Sequence, residues 1–326
     1  MFETIQSFID RNQSFILTTH DPADADGLGA ELVFAAILKE RGKSFRIING
    51  SAVPTTFRFM DPNGLIEQWE TEKHDGLTQK SALIVVDTSD EYHIGCMKQI
   101  IKQVKEVMVI DHHEAKAHDM LPGFIDPLSA STCEIALELA GEMGIKIQPQ
   151  TAMAAYSGIV YDTGFFAYSK TRLRTFKAAI KAIESGAETH YVYTQLMENA
   201  SKGALLLQKQ AFATLEFHNK GRIAVMVINR EDLASCGAAY EDAEAFVNMP
   251  LKVKEVEVSL MVKETPAGEV RCSLRSKGKV NVSKIAQDFG GGGHIAAAGF
   301  KSNFNLEKTL NKVLSTVEAH LDTGNT

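Results

Sequence analysis

Three short apolar runs in the first half of the chain each end in a polar cluster. Residues 14–19 (SFILTT) lead into His20, Asp21, Pro22, Ala23, Asp24, Ala25, Asp26 and Gly27. Residues 82–86 (ALIVV) lead into Asp87, Thr88, Ser89 and Asp90. Residues 107–110 (VMVI) lead into Asp111, His112, His113 and Glu114. Short runs rich in Val and Ile, without polar alternation, predict strands buried on both faces. A further strand is predicted near residues 44–48, and helices over 28–41 and 94–105. Strand and helix in alternation imply an α/β fold with a parallel sheet and right-handed crossovers. Ligands of such sheets bind beyond the carboxyl ends of the strands, where all three clusters sit.

From Ser131 the pattern turns helical and stays so to about residue 215, with Ser131 and Thr132 in N-cap position. Strands are predicted again at 223–229, 256–263 and 270–276, then a helix over 282–288. This divides the chain into a first domain over 1–186, a helical linker over 187–219 and a smaller α+β domain over 220–326. A frayed tail is expected over 322–326.

Composition narrows the function classes. Lys and Arg number 34 against 41 Asp and Glu, a net charge of −7. Proteins that grip long nucleic acid mainly by charge are usually basic, so long duplexes are not the expected partner. Cys96, Cys133, Cys236 and Cys272 are scattered, with neither a disulfide framework nor a thiolate metal site. The first residues, MFETIQSFIDRNQ, lack the basic start and apolar run of a signal peptide. No apolar stretch approaches the ~20 residues of a membrane span. A cytoplasmic protein without a membrane partner is expected.

His20, Asp24 and Asp26 fall within seven residues, and Asp87 and the Asp111, His112, His113 trio approach from neighbouring strand ends. Each cluster alone reads equally well as a solvated loop. Together they would crowd carboxylates that repel one another unless a cation compensates. Carboxylate oxygen with imidazole nitrogen suits Mn²⁺, Fe²⁺, Co²⁺ or Zn²⁺, and a carboxylate-rich pair of sites suits two-metal hydrolysis. Asp162, late in an apolar helix, can complete the set.

At these residues the chain resembles the DHH phosphoesterases. The motifs are H-x-x-x-D-x-D (His20, Asp24, Asp26), V-V-D (Asp87), D-H-H (Asp111, His112, His113) and Y-D-T-G (Asp162). R-S (Arg275, Ser276) and G-G-G-G-H-x-x-A-A-G from Gly290 to Gly299 resemble the associated DHHA1 domain. The length is most similar to the nanoRNase and pAp phosphatase branch. The resemblance implies an α/β protein: an N-terminal DHH domain with a parallel sheet flanked by helices, a helical linker, and a C-terminal DHHA1 domain, with the active site in the cleft between them. It implies one metal held by His20, Asp24 and Asp87 and another by Asp26, Asp87, His112 and Asp162. Asp87 bridges, His113 faces the substrate phosphate, and Asp111 supports the histidine pair. Two divalent ions are implied, manganese before magnesium or cobalt, and a homodimer. The implied reactions are hydrolysis of short oligoribonucleotides to 5′-mononucleotides and of 3′-phosphoadenosine 5′-phosphate (pAp) to AMP. The same metals would also serve a phosphodiesterase of c-di-AMP or pApA, or a RecJ-like exonuclease. A non-catalytic nucleotide sensor is the reading from another class.

In the second domain the two-residue period puts Arg271, Ser273 and Arg275 on one strand face. Two guanidinium groups there can grip phosphate, and a solvated strand face is the alternative. Gly291, Gly292 and Gly293 can turn backbone N–H groups onto an anion, and the residues from His294 onward are read as the start of a helix. Arg271, Arg275, Gly291, Gly292, Gly293 and His294 are therefore substrate-binding candidates, and the resemblance of the R-S motif implies Ser276 as another. Tyr168, Lys170 and Arg174 are further candidates because they follow Asp162 closely. His74, His93, His118, His190 and His218 read as surface or cap residues, and Trp69 as a packing residue.

Overall fold

The structure, a computed structural model, describes residues 2–74, 76–114, 121–293 and 295–323. The chain forms two compact units, Met1–Asn199 and Ala200–Thr326. The first contains α1 (Glu3–Arg11), β1 (Ser14–Thr18), α2 (Ala25–Glu40), β2 (Ser44–Asn49), β3 (Ile66–Gln68), α3 (Thr71–His74), β4 (Ala82–Val86), β5 (Val107–Asp111), β6 (Gly123–Ile125), α4 (Thr132–Glu142), α5 (Pro149–Asp162), α6 (Leu173–Glu184) and α7 (Thr189–Met197). The second contains α8 (Lys202–Ala213), β7 (Glu216–His218), β8 (Ile223–Ile228), α9 (Arg230–Cys236), β9 (Val258–Glu264), β10 (Val270–Ser276), α10 (Val282–Asp288), β11 (Gly292–Gly293), β12 (Ala297–Ser302) and α11 (Leu306–Thr323).

The first sheet has the order β3-β2-β1-β4-β5-β6 with every pair parallel. Strand order reverses between β1 and β4, which opens a crevice at their carboxyl ends. All five residues of β4 are buried, as a central parallel strand requires. The apolar helix α2 is buried on nearly every side, because it packs on the sheet and also against α4 and α5. The α2–α5 crossing is close enough to exclude a methyl group. A Cβ at Gly158 would stand 2.8 Å from Asp26 Oδ1 and 2.5 Å from Cys133 Sγ. Gly158→Ala is therefore expected to lower stability by about 1–3 kcal/mol through overpacking. Chemical denaturation of the purified variant checks it.

The second sheet has the order β11-β12-β10-β9-β8-β7, with β8 and β9 parallel and the other pairs antiparallel. Val270, Cys272 and Leu274 of β10 are buried against α10 and α11.

Several expectations change. Residues 94–105 hold only a 3₁₀ segment, Gly95–Ile100. The buried Ile94, Met97 and Ile100 recur every third residue, the period of that helix. Strands β3, β6 and β7 have three residues each, too few to show a period. No helix follows the glycine run: Gly292 and Gly293 pair with Gly299 and Ala298 of β12. The carbonyls of Ile295 and Ala296 accept from the N–H groups of Val282 and Ser276, which holds that stretch open. Of the tail expected to fray, residues 322 and 323 belong to α11, and residues 324–326 lie outside the described residues. His74 is buried rather than at the surface. Its Nδ1 accepts from the Glu70 N–H at 2.9 Å and its ring lies 5.3 Å from that of Trp69. His118 lies outside the described residues.

Candidate metal centre

β1, β4 and β5 are neighbours, so the residues that follow them meet at one edge. Asp24 caps α2, its Oδ1 accepting from the N–H groups of Asp26 (3.0 Å) and Gly27 (3.1 Å). That cap turns the chain sharply and leaves Asp26 in the first helical turn, fully buried. The Asp26 carboxylate faces the N-terminus of α4. Its Oδ2 accepts from the Thr132 N–H at 2.5 Å and its Oδ1 from the Cys133 N–H at 2.9 Å. Unpaired amides and the helix dipole make this a natural seat for an anion. Ser131 caps the same helix, its hydroxyl accepting from the Glu134 N–H.

Asp87 leaves β4 with φ of +65°, in the left-handed region that Asp and Asn tolerate better than most residues. It is 2% exposed. Its two oxygens face opposite ways. Oδ2 lies 3.5 Å from His20 Nε2, whereas Oδ1 lies 3.4 Å from His112 Nε2 and accepts from the Thr132 hydroxyl at 2.9 Å. His20 Nε2 is also 3.4 Å from Asp24 Oδ1. His112 Nε2 is 3.0 Å from Asp162 Oδ2 and 3.9 Å from Asp26 Oδ2. The last residue of α5, Asp162, thus joins the cluster.

Electrostatics shows what the cluster is built for. Burial opposes charge on His20, yet Asp24 and Asp87 outweigh it and push its pKa up to about 11. Burial likewise opposes charge on His112, and Asp162 and Asp87 push it to about 11. Asp26 rises well above the ordinary carboxylate range, first through burial and then through Asp87 and Asp162. Burial alone would raise Asp87, but His112 and His20 hold it well below that range. Without a cation, protons on the histidines balance the crowded carboxylates.

A metal fits this donor set. His20, Asp24 and Asp87 offer ligand atoms within 4.8 Å of one another, as do Asp26, His112 and Asp162, and Asp87, His112 and His113. Neither ring nitrogen of the buried His112 makes an aligned hydrogen bond, although Nε2 is surrounded by three carboxylates. An imidazole nitrogen aimed among carboxylates without an aligned partner is the arrangement a divalent ion would complete.

His113 is set apart, half exposed. Asp111 Oδ1 accepts from both its ring Nδ1 (2.8 Å) and its backbone N–H (3.0 Å), which fixes the ring. Lys170 Nζ donates to the His112 carbonyl at 3.3 Å. Arg174 is not free for a substrate: its guanidinium is held by Asp126 at 2.5 Å, Glu138 at 2.6 Å and Glu134 at 3.1 Å. Tyr168 is exposed.

In the second unit Arg271 and Arg275 share the β10 face opposite the core, Arg271 exposed and Arg275 half-buried. Ser276 is different. Its buried hydroxyl donates to the Val280 carbonyl at 2.7 Å and accepts from the Gly278 N–H, so it holds the turn after β10. A Cβ on Gly291 would stand 2.2 Å from the Gly299 carbonyl, so the close strand approach requires glycine there. Gly292 faces open space and Gly293 has φ of +141°. His294 lies outside the described residues.

Sequence reasoning missed Thr132 as a donor to Asp87 and the α4 amides as the seat of Asp26. It also missed a buried chain beneath the site. Glu31 accepts from Asn49, whose Oδ1 accepts from the Thr18 hydroxyl and the Thr19 N–H, and the Thr19 hydroxyl donates to the Val86 carbonyl beside Asp87. Asn49, within an apolar strand end, was the available signal.

Comparison with known proteins follows the same lines. The DHH family N-terminal domain model matches residues 14–159, and the DHHA1 domain model matches residues 221–322. The chain is 25% identical over 308 residues to a Thermus thermophilus protein named bifunctional oligoribonuclease and PAP phosphatase NrnA, covering 94% of this chain and 89% of that one. It is 25% identical over 339 residues to the Bacillus subtilis cyclic-di-AMP phosphodiesterase GdpP, covering 98% of this chain and 50% of that one. The crystal structure of an exopolyphosphatase-related protein from Bacteroides fragilis matches with a TM-score of 0.92 at 23% identity, over 100% of this chain and 97% of that one. That likeness concerns the fold. Two family models in succession, with a relative aligned along most of both chains, place this protein among the DHH family phosphoesterases, in the group whose DHH domain is followed by a DHHA1 domain.

Proposed function

We propose that the protein hydrolyses phosphate esters at the 3′ oxygen of short nucleotides. It would convert 5′-phosphorylated oligoribonucleotides to 5′-mononucleotides, and pAp to AMP and phosphate. The observation that carries hydrolysis is Asp87, whose two oxygens face two separate groups of ligand atoms and so suit a carboxylate shared by two ions. The relatives named oligoribonuclease and PAP phosphatase support the substrate class, since they align along most of both chains.

His20, Asp24 and Asp87 would hold one ion; Asp26, Asp87, His112 and Asp162 would hold the other. Manganese suits the mixed carboxylate and imidazole donors, ahead of magnesium or cobalt. Two such ions, when bound, supply Lewis acidity and an activated water. His113, its Nδ1 fixed by Asp111, leaves Nε2 to face a phosphoryl oxygen where charge develops. Arg275 and Arg271, which share one face of β10, would bind a phosphate group of the substrate. The protein acts in the cytoplasm on small substrates. None of the described helices is long and apolar enough to cross a membrane.

The direct test is product analysis by anion-exchange chromatography. Purified protein, with Mn²⁺ or with chelator, is incubated with pAp, a 5′-phosphorylated RNA trimer, pApA and c-di-AMP. Metal-dependent AMP from pAp and mononucleotides from the trimer are expected. Turnover of c-di-AMP alone would replace this reading with second-messenger breakdown, the activity in the name of the relative GdpP.

Arg275→Ala tests whether this face of β10 binds substrate phosphate. It should raise KM for pAp and for the trimer on the order of tenfold or more, since a hydrogen bond to a charged group is lost. Hydrolysis of bis-p-nitrophenyl phosphate should hardly change. Equal losses on both kinds of substrate would remove Arg275 from the binding site.

A further inference from the structure

The first sheet parts where the metal centre sits. The ladders of β1 end at Leu17 and Ile47 on the β2 side, and at Thr18 and Val85 on the β4 side. His20 and Asp87 follow within two residues, and side chains continue the ladders beneath them. Asn49 Oδ1, at the end of β2, accepts from the Thr18 hydroxyl at 3.1 Å and from the Thr19 N–H at 3.2 Å. The Thr19 hydroxyl donates to the Val86 carbonyl at 3.0 Å. A Cβ on Gly27 would stand 2.2 Å from Thr19 Oγ1, so the first turn of α2 packs directly on that hydroxyl. Three strands are thus joined through the residues directly before His20 and Asp87. Asn49 itself is fixed twice. Its backbone pairs with Gln68 of β3, and its Nδ2 donates to Glu31 Oε2 at 3.0 Å. Glu31 stands on α2 five residues after Asp26, so one helix carries both the anchor of this chain and a candidate ligand.

Burial makes this chain unfavourable for folding alone. Thr18, Thr19 and Glu31 are 0% exposed and Asn49 is 3% exposed. Glu31 Oε1 has no hydrogen-bond partner among the described residues. A buried carboxyl left half-satisfied opposes folding, and an apolar side chain in α2 would avoid that penalty. We infer that Glu31, Asn49 and Thr19 are positioning residues of the metal centre. They set the separation of the β1 and β4 ends, and with it the fit of a divalent cation between the His20 and Asp87 side chains. The inference rests on the metal-centre reading above. Hydrogen bonds that orient ligands from outside the ligand set typically carry about 10–100-fold in metal affinity.

The test is a Mn²⁺ titration of the full chain, followed by the electron paramagnetic resonance signal of the free ion. Thr19→Val keeps the branched shape and loses the hydroxyl, whereas Asn49→Ala loses the bonds to Thr18, Thr19 and Glu31. Each should raise the Mn²⁺ dissociation constant about tenfold or more. Glu31→Met, of similar length but without an acceptor, should raise it as well. Thr19→Ser, which restores the hydroxyl, and Glu31→Gln, which keeps an acceptor for Asn49, should bind as the wild type does. Calorimetry in EDTA shows which variants are folded at the titration temperature, and Thr19→Val carries the test if Asn49→Ala does not fold. A merely structural role would lower the unfolding midpoint and leave the dissociation constant of the folded protein unchanged; that result would overturn the inference. Binding as weak in Thr19→Ser as in Thr19→Val would overturn it too, because shape rather than the hydroxyl would then matter. A wild type that binds no Mn²⁺ in the same titration would remove the metal centre itself, and the inference with it.

Discussion

Asp87→Asn is expected to abolish hydrolysis while leaving the fold in place. Asn matches Asp in shape, accepts from Thr132 as Asp87 does, and tolerates the left-handed backbone at this position. What it lacks is the charge on the oxygens facing His20 and His112. Losing a partner outside the ligand set typically lowers metal affinity or activity about 10–100-fold. A ligand shared by two ions should matter more, and a fall in kcat/KM on the order of 10³-fold or greater is expected. Steady-state kinetics at saturating Mn²⁺, with metal content measured on the same sample, checks it. Near-normal turnover with both ions retained would show that Asp87 does not bridge.

Metal removal should give the second large effect, on stability as well as on rate. His20 and His112 carry protons in the metal-free cluster, and Asp26 shares the burden through its raised pKa. A divalent ion would replace those protons and would bind the folded form only. At a free concentration of about 1,000 times Kd, such binding stabilises by about 4 kcal/mol. For a unit of this size that corresponds to an upward shift of roughly 10 °C in the unfolding midpoint of the first unit. Calorimetry with EDTA and with excess Mn²⁺ measures it, and activity should vanish and return in parallel. A midpoint indifferent to chelation would argue that these carboxylates hold no ion.

Much of the fold was legible because parallel strands buried on both faces are continuous apolar runs. β4 and β10 and helix α10 have the predicted bounds, and β1, β2, β5 and β8 differ by a residue at one end. Among the elements that escaped were α1, α9, α11 and β12, the three-residue strands, which show no period, and the 3₁₀ segment, whose three-residue spacing resembles a helix. The stretch after the glycines misled because HIAAAG suits a helix by propensity. Instead Ile295 and Ala296 form a bend whose carbonyls accept from residues 282 and 276, and the chain from Ala297 pairs with β10 and β11, well away in sequence.

By itself the sequence determined which residues stand at the strand ends, because short apolar runs announce their own termini. His20, Asp24, Asp26, Asp87, Asp111, His112 and His113 all follow such runs. Tertiary structure alone decided how they are used. Thr132 and the α4 amides reach Asp26 and Asp87 from 45 or more residues away. Ser276 turned inward to its own loop, and Arg174 was drawn into a carboxylate cluster. His74 went to the core. Hydrophobic period is a local property of the chain, whereas the partners of a polar group are set by what the finished fold brings within about 3 Å of it.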